Sequence, residues 1–182
     1  MADIDWTLDR PDLQIWRANP GKIRILRLRR PQEAAMMAIE AALGMALPLE
    51  PNTIAVAPDG SQAVWLSPGD WMIVDGASLS GDLIAPAQGL IHVADVTDGR
   101  GRFTVSGAHS LDFLAKGTSL DLHPRIFGAR RCTQTLFAQM RVMIVRPSAE
   151  PAFNIYIDRS FDAYFCDWAA DAAKEFSIGS HQ

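Results

Sequence analysis

The middle of the chain alternates short apolar segments with tight turns, and this spacing limits the folds available to it. The apolar segments lie at 54–56, 64–66 and 71–74. Pro58-Asp59-Gly60 separates the first two, and Ser67-Pro68-Gly69-Asp70 separates the last two, with Pro and Gly at the central positions of a type II turn. The pattern predicts a meander of three short strands.

Similar segments recur along the rest of the chain, mixed with a few helical patterns. Further strands are predicted at 22–29, 91–96, 103–105, 133–138, 141–146 and 153–158. Helices are predicted from Pro31 to Gly44, over 108–117, and from a capping Ser160 to Phe176. Because no βαβ unit repeats, the sequence predicts an α+β fold, with antiparallel sheets of short strands and flanking helices.

Three local patterns give sharper expectations. The apolar alternation changes phase between Ile25 and Leu26, which predicts a β-bulge. The segment Asp98-Gly99-Arg100-Gly101 is typical of a hairpin turn. The final helix carries an apolar stripe that predicts its buried face. That stripe consists of Phe161, Tyr164, Phe165, Trp168, Ala172 and Phe176.

No shift of composition divides the chain, so we expect a single domain over 1–182. Residues 1–21 show little periodicity and form a predicted N-terminal arm ahead of the main part at 22–182. The arm contains Trp6 and Trp16, which need a surface to pack on. It either folds back on its own domain or packs on a partner, because Trp is favoured at interface anchors.

Charge and hydropathy argue against several classes of protein. A net charge of −4 gives no reason to expect a nucleic-acid or anionic-membrane partner. One cationic cluster is either the solvated face of a strand or a phosphate-binding stripe; it consists of Lys22, Arg24, Arg27, Arg29 and Arg30. No apolar run approaches the roughly 18 residues of a membrane span. An acidic start and only two cysteines favour a cytoplasmic protein with reduced thiols.

Sequence motifs for nucleotide loops, nucleophile elbows and zinc-protease helices are absent. His123 beside Asp121 is either a general base or a hydrogen-bonded structural histidine. Cys132 follows two arginines, so it is either a reactive thiol or a small buried side chain. Asp95 and Asp98 are either a catalytic pair or turn residues. The residues alone predict no metal site and no defined active site.

Three stretches together resemble the γ subunit of heterotetrameric sarcosine oxidase. The first is LSPGDWMIV at 66–74. The second runs from Val93 to Leu136 and includes LDLHPR and CTQT. The third begins with Arg159-Ser160-Phe161 and includes Trp168. The resemblance covers residues 64–176 in the order of the family.

This resemblance implies an oxidase built from α, β, γ and δ chains that converts sarcosine to glycine. The methyl carbon passes to tetrahydrofolate or leaves as formaldehyde, and oxygen becomes hydrogen peroxide. The FAD, FMN, NAD, zinc and tetrahydrofolate belong to the other subunits, so no cofactor is expected on this chain. The fold is similar to the folate-binding domain of aminomethyltransferases. Their DVSHM segment corresponds to Asp95-Val96-Thr97-Asp98-Gly99 here, so the resemblance does not carry folate binding over to this chain.

The sequence therefore predicts a non-catalytic structural subunit, held by the α, β and δ subunits and chiefly by the large α subunit. Its candidate interface residues are Trp71, Asp70, Trp6 and Trp16. Two alternatives stay open. One is a stand-alone folate-binding one-carbon transferase that uses Asp95 or Asp98. The other is a γ-like subunit of an oxidase for a different N-methyl amino acid.

Overall fold

The structure is a computed structural model that describes residues 5–29, 33–76 and 90–177. They cluster into two compact units, one formed by the residues up to Pro20 and from Asp98 onward, the other by Gly21–Thr97. The single domain over 1–182 stays a prediction. The composition of the chain does not change at either junction between the units.

The elements follow one another in chain order. The strands are β1 (Thr7–Arg10), β2 (Leu13–Ala18), β3 (Ile23–Arg29), β4 (Ile54–Val56), β5 (Gln62–Ser67), β6 (Asp70–Val74), β7 (Leu90–Asp95), β8 (Arg100–Ser106), β9 (Arg131–Phe137), β10 (Met140–Arg146) and β11 (Ala152–Asp158). The helices are α1 (Glu33–Leu43), α2 (Ser110–Gly117) and α3 (Asp162–Ala172), and short 3-10 turns lie at Thr97–Gly99, Arg159–Phe161 and Lys174–Ser177.

The first unit is built on a six-stranded sheet with the order β1-β2-β8-β11-β10-β9, and every pairing in it is antiparallel. One face of this sheet buries aromatic and branched side chains against α2 and α3. Phe103 of β8 lies 4.2 Å, centroid to centroid, from Phe165 of α3. Residues 7–18 of the predicted arm form the hairpin β1–β2, which joins the sheet through β8.

The second unit is built on a five-stranded sheet with the order β4-β5-β6-β3-β7, again antiparallel throughout. Leu26, Trp71 and Ile73 form one buried cluster with Ile39 and Leu43 of α1. The helix ends where predicted, at Gly44, whose φ of 67° suits a residue without Cβ. Pro31, the predicted start of that helix, lies outside the described residues.

The predicted bulge in β3 is wrong. This strand pairs with β6 and β7 in continuous register through Ile25 and Leu26. Ile23 and Ile25 lie on one face of β3 and Leu26 and Leu28 on the other, so the alternation changes phase without an inserted residue. The register irregularity lies in β5 instead, between Trp65 and Ser67.

The predicted hairpin at Asp98-Gly99-Arg100-Gly101 is also wrong. The strand before it, β7, belongs to the five-stranded sheet, and the strand after it, β8, belongs to the six-stranded sheet. Turn-forming residues report a local change of direction and carry no information about which strand pairs next. Gly101 lies within β8, where a Cβ atom would overlap the carboxylate of Asp162.

The buried face of α3 is rotated from the predicted stripe. The buried residues are Asp162, Phe165, Cys166 and Ala169, whereas Phe161 is 42% exposed and Tyr164 45% exposed. The difference arises because a charged residue, Asp162, takes a core position. The predicted cap at Ser160 is wrong as well: a 3-10 turn leads into the helix, and the N-cap residue Phe161 makes no capping hydrogen bond through its side chain.

Candidate functional site

His123 and Asp121, the pair considered for acid–base catalysis, make hydrogen bonds within their own turn. Asp121 Oδ1 accepts a hydrogen bond of 2.9 Å from the backbone nitrogen of His123, and not from its ring. The ring Nδ1 accepts from the backbone nitrogen of Arg125 at 3.3 Å. Both side chains are exposed, beside an open depression of about 490 Å³. The arrangement matches the structural interpretation of His123.

Both cysteines are buried. Cys132 is 0% exposed in β9, so its thiol is inaccessible despite the arginines that precede it. Burial, together with the nearby Asp162 and Asp167 carboxylates, raises the pKa of the Cys166 thiol to about 11. A thiol with this pKa is protonated near neutral pH and is a poor nucleophile. Among the described residues, no group of three or more His, Cys, Asp or Glu side chains is placed to hold a metal ion.

Asp95 is held in a local turn. Its Oδ1 accepts from the backbone nitrogen of Thr97 at 3.0 Å, and hydrogen bonds from the Thr97 side chain and backbone hold the pKa of Asp95 below its usual value. The Thr97 hydroxyl in turn accepts from the backbone nitrogen of Ile23 at 3.0 Å. Asp98 is an exposed residue of the following 3-10 turn. The Asp95 carboxylate is thus engaged within its own turn, which matches its interpretation as a turn residue.

The cationic cluster on β3 is partly neutralised by one carboxylate. Arg29 donates two hydrogen bonds to Asp70, with Nη1–Oδ1 at 2.9 Å and Nη2–Oδ2 at 3.1 Å. The Nε atom of Arg27 lies 3.9 Å from the same Oδ1, and Arg24 donates to the Gly76 carbonyl at 3.0 Å. Arg30 lies outside the described residues. These contacts favour a structural role for the cluster over a phosphate-binding stripe.

Asp70 fixes the turn between β5 and β6. The Ser67 hydroxyl donates to its Oδ2 at 2.7 Å, and the Arg29 guanidinium and this hydroxyl hold the pKa of the Asp70 carboxyl below its usual value. Arg29 Nη1 also donates to the Gly69 carbonyl at 3.1 Å. Gly69 has a φ of 81°, and a Cβ there would overlap the Leu28 carbonyl. The turn is therefore held against β3 by both backbone and side-chain contacts.

Trp71, the other candidate interface residue of this unit, is only 3% exposed. Its ring packs in the cluster beneath α1, and its Nε1 donates a hydrogen bond of 2.8 Å to the Pro48 carbonyl. This bond satisfies the buried indole nitrogen and fixes the loop that carries Leu49. A ring buried this deeply offers little area for direct contact with a partner. Its contribution is to support the neighbouring residues that are exposed.

Trp71 and the turn held by Asp70 together form an apolar groove of about 260 Å³. It is lined by Leu28, Met36, Leu49, Trp65, Pro68, Gly69 and Trp71. Leu49 is 74% exposed where it lines this groove. Sequence reasoning found Trp71 and Asp70 but missed Leu49 and Met36. A possible signal was the leucine between two prolines, in Pro48-Leu49-Glu50-Pro51, where no periodic pattern required an apolar residue.

Trp6 and Trp16 belong to the first unit. Trp6 is half-buried, with its ring edge-on to Phe103 at a centroid distance of 6.1 Å. Trp16 is also half-buried, on β2 opposite Thr104. Each retains some accessible ring surface, so both stay candidate interface residues. Among the described residues, no helix is long and apolar enough to cross a membrane.

Comparison with known families identifies the chain. Residues 30–175 match the sarcosine oxidase, gamma subunit family. This chain belongs to that family. It is 31% identical over 150 residues to sarcosine oxidase subunit gamma of an Arthrobacter species. The aligned region covers 81% of this chain and 73% of that protein.

Solved structures agree with this family assignment. A chain of heterotetrameric sarcosine oxidase from Corynebacterium sp. U-96, solved with pyrrole 2-carboxylate, has a TM-score of 0.80 at 26% identity, covering 96% of this chain and 90% of that one. Glycine cleavage system aminomethyltransferase T from Bartonella henselae has a TM-score of 0.62 at 15% identity. The match covers 93% of this chain and 47% of that one. The second likeness shows the fold alone. It confirms the predicted aminomethyltransferase-like α+β architecture.

The gamma subunit family match includes the groove residues other than Leu28 and excludes the two N-terminal tryptophans. Leu49 and Trp71 lie within residues 30–175, whereas Trp6 and Trp16 precede them. Most of the groove therefore lies within the matched residues, and it is the first candidate for a functional surface.

Proposed function

We propose that this chain is the gamma subunit of a heterotetrameric sarcosine oxidase and contributes to its assembly without a catalytic group of its own. The observation that carries the proposal is the state of the candidate catalytic side chains. Asp95 and Asp121 hold their own turns, and Cys132 is buried. Trp71 instead lines an accessible apolar groove, next to the turn that Asp70 holds.

We further propose that the α, β and δ subunits are the partners, chiefly the large α subunit. FAD, FMN, NAD, zinc and tetrahydrofolate then belong to those subunits. The groove itself is too small to hold one of the organic cofactors. Small-molecule sites usually have volumes of about 300–1,000 Å³, and the groove at about 260 Å³ is smaller than that. A flavin or a folate would not fit within it.

Measurements on the purified chain test the absence of catalysis and cofactor binding. We expect no flavin absorbance, no sarcosine-dependent hydrogen peroxide, and no heat of binding in titrations with tetrahydrofolate. Asp95→Ala serves as the matched variant for the folate titration. Micromolar binding that this variant abolishes would favour a stand-alone one-carbon transferase, and turnover of sarcosine by the chain alone would contradict the proposal.

A further inference from the structure

Strand β7 forms an open edge of the five-stranded sheet. Within the described chain it pairs with β3 alone, over six residues and in continuous register. The strand at the opposite edge, β4, has only three residues, and short edge strands are one way in which proteins avoid pairing with other chains. β7 contains no proline. It therefore has the length and regularity that an additional strand needs for pairing.

The hydrogen bonds of β7 show which of its backbone groups point outwards. The backbone nitrogen of Val96 donates to the Ile23 carbonyl at 2.9 Å, just beyond the end of the strand. Hydrogen-bonded pairs alternate along an antiparallel ladder, so the backbone of His92 bonds β3 whereas that of Ile91 and Val93 faces away from it. No residue of the described ranges bonds these outward groups. They are donors and acceptors for an incoming strand.

Three side chains on one face of the sheet form a row that ends at this edge. Asp70 of β6, Arg27 of β3 and His92 of β7 are directly opposite one another in the register, so their side chains share a face. His92 is exposed, and the Arg27 side chain is 56% exposed. Trp71 alternates with Asp70 and lies on the other face, so the row is separate from the apolar groove.

This row carries an excess of positive charge. Asp70 accepts two hydrogen bonds from Arg29, at 2.9 and 3.1 Å. The Nε atom of Arg27 lies 3.9 Å from Asp70, too far for a hydrogen bond, and the ring of His92 bonds no described residue. The chain as a whole has a net charge of −4, so this face departs from the general charge. A carboxylate beside Arg27 and His92 would be complementary to it.

A second copy of β7 cannot supply that carboxylate. Its one acidic residue is Asp95, whose side chain alternates to the face opposite His92 and accepts a hydrogen bond from Thr97. Two β7 strands that pair antiparallel through their outward groups bring their His92 faces to the same side. That arrangement adds cationic side chains to the row and no carboxylate of β7. The complementary strand therefore comes from a different polypeptide.

We propose that an extended segment of another subunit of the oxidase adds a strand to β7, with an Asp or Glu of that segment pairing with Arg27 and His92. The open backbone requires an extended segment, and the cationic row requires an acidic one. This inference rests on the proposed assembly function. It adds the place of contact and the chemistry of the contacting segment.

Co-expression of the four subunits, with an affinity tag on a different subunit, tests the added strand. Val93→Pro removes an outward N–H and leaves the hydrogen bonds to β3 in place, and proline is tolerated at such edge positions. Recovery of this chain with the tagged subunit should fall about tenfold. The matched control is Val56→Pro, which removes an outward N–H at the opposite edge of the same sheet. It should be recovered like the wild type.

Each result of that experiment is informative. Recovery of Val93→Pro at the wild-type amount would overturn strand addition at β7, and so would equal losses for Val93→Pro and Val56→Pro. If Val93→Pro lowers the urea midpoint of the purified chain, the side-chain variants below decide the matter. A four-chain preparation that assembles and works equally well without this chain would instead contradict the proposed function. The failure of the edge and the failure of the assembly role are thereby distinguished.

The acidic residue of the partner is tested by charge variants. Arg27→Glu should lower recovery about tenfold, and Arg27→Lys should retain most of it because a lysine preserves the charge at this exposed site. Arg141→Glu reverses an exposed arginine of the first unit and is the matched control. The wild-type association should also weaken as salt increases. Equal recovery of Arg27→Glu and Arg27→Lys, or an equal loss for Arg141→Glu, would overturn the charge pairing.

Photo-crosslinking identifies the occupant directly. A benzophenone amino acid at position 92, introduced into the assembled four-chain complex, should link to another subunit at a segment that contains Asp or Glu. Crosslinking to a second copy of this chain, or no crosslink within an assembled complex, would overturn the inference.

Discussion

Asp70 is a single residue whose surroundings predict a measurable pH dependence. Hydrogen bonds from Arg29 and Ser67 lower the pKa of its carboxyl in the folded state. A carboxyl with a lower pKa in the folded state stabilises the fold above its unfolded pKa of about 3.9, and this contribution is lost as the pH falls through the folded pKa.

We therefore expect Asp70→Asn to lower the urea midpoint of unfolding at pH 7. The difference from the wild type should be modest, because the Arg29 side chain is half exposed. It should shrink as the pH falls below about 4. Urea titrations between pH 7 and pH 3 measure this difference in midpoint. A difference that grows towards low pH would show that the pKa of Asp70 is not lowered in the folded state.

Gly101 and Gly99 provide a matched pair within one four-residue segment. A Cβ at position 101 would overlap the Asp162 carboxylate, whereas a Cβ at position 99 would meet nothing within 4 Å. Gly101→Ala should cost about 1–3 kcal/mol in the free energy of unfolding, and Gly99→Ala should lie within about 0.5 kcal/mol of the wild type. Chemical denaturation compares them, and equal effects would mean that the close approach at Gly101 is not tight.

At the scale of elements, a buried ion pair fixes α3 against the first sheet. Arg17 of β2 donates from Nε to Asp162 Oδ2 at 2.8 Å, and both side chains are 4% exposed. Asp162 lies at the start of the helix, and Phe165 and Ala169 follow it on the same buried face. The helix is thus held by one charged contact and a row of apolar ones.

Removing one partner of this pair should be costly. Asp162→Ala leaves the Arg17 guanidinium buried without the carboxylate it bonds, and we expect a loss of about 3–5 kcal/mol in the free energy of unfolding. Replacing both residues, with Arg17→Met and Asp162→Leu, should recover much of the loss because no buried charge remains. Thermal and urea unfolding measure both variants. Asp171→Ala, which removes an exposed carboxylate from the same helix, is the control and should leave the midpoint unchanged.

Prediction from sequence succeeded for elements with a local pattern and failed where distant residues, such as the Arg17–Asp162 pair, decide the structure. Strands β9, β10 and β11 were located to within two residues because each alternates or runs apolar between clear turns. The stripe of α3 was misplaced because a hydrophobic pattern cannot identify an aspartate whose charge is matched by Arg17, a residue far away in the chain. The segment 97–101 failed for a related reason: the partner of a strand depends on distant residues, whereas turn residues act locally.

At the scale of the whole molecule, the family could be predicted from the sequence, but the apolar groove could be predicted only in part. LDLHPR, CTQT and the RSF segment are unusual in combination, and the family match confirms that interpretation. Trp71 and Asp70 were correctly placed in a turn and strand, but their groove depends on Leu49 and Met36, which lie far from them in sequence. Convergence of distant segments is a property of the fold and is not visible in any local pattern.

The most direct test of the assembly role is whether the oxidase requires this chain. The four subunits are co-expressed with and without this chain, and the mass of the complex and its sarcosine-dependent hydrogen peroxide production are measured. We predict that omission lowers both the yield of intact complex and its activity, and that supplying the wild-type chain restores them. A complex that forms in normal yield with full activity in the absence of this chain would contradict the account.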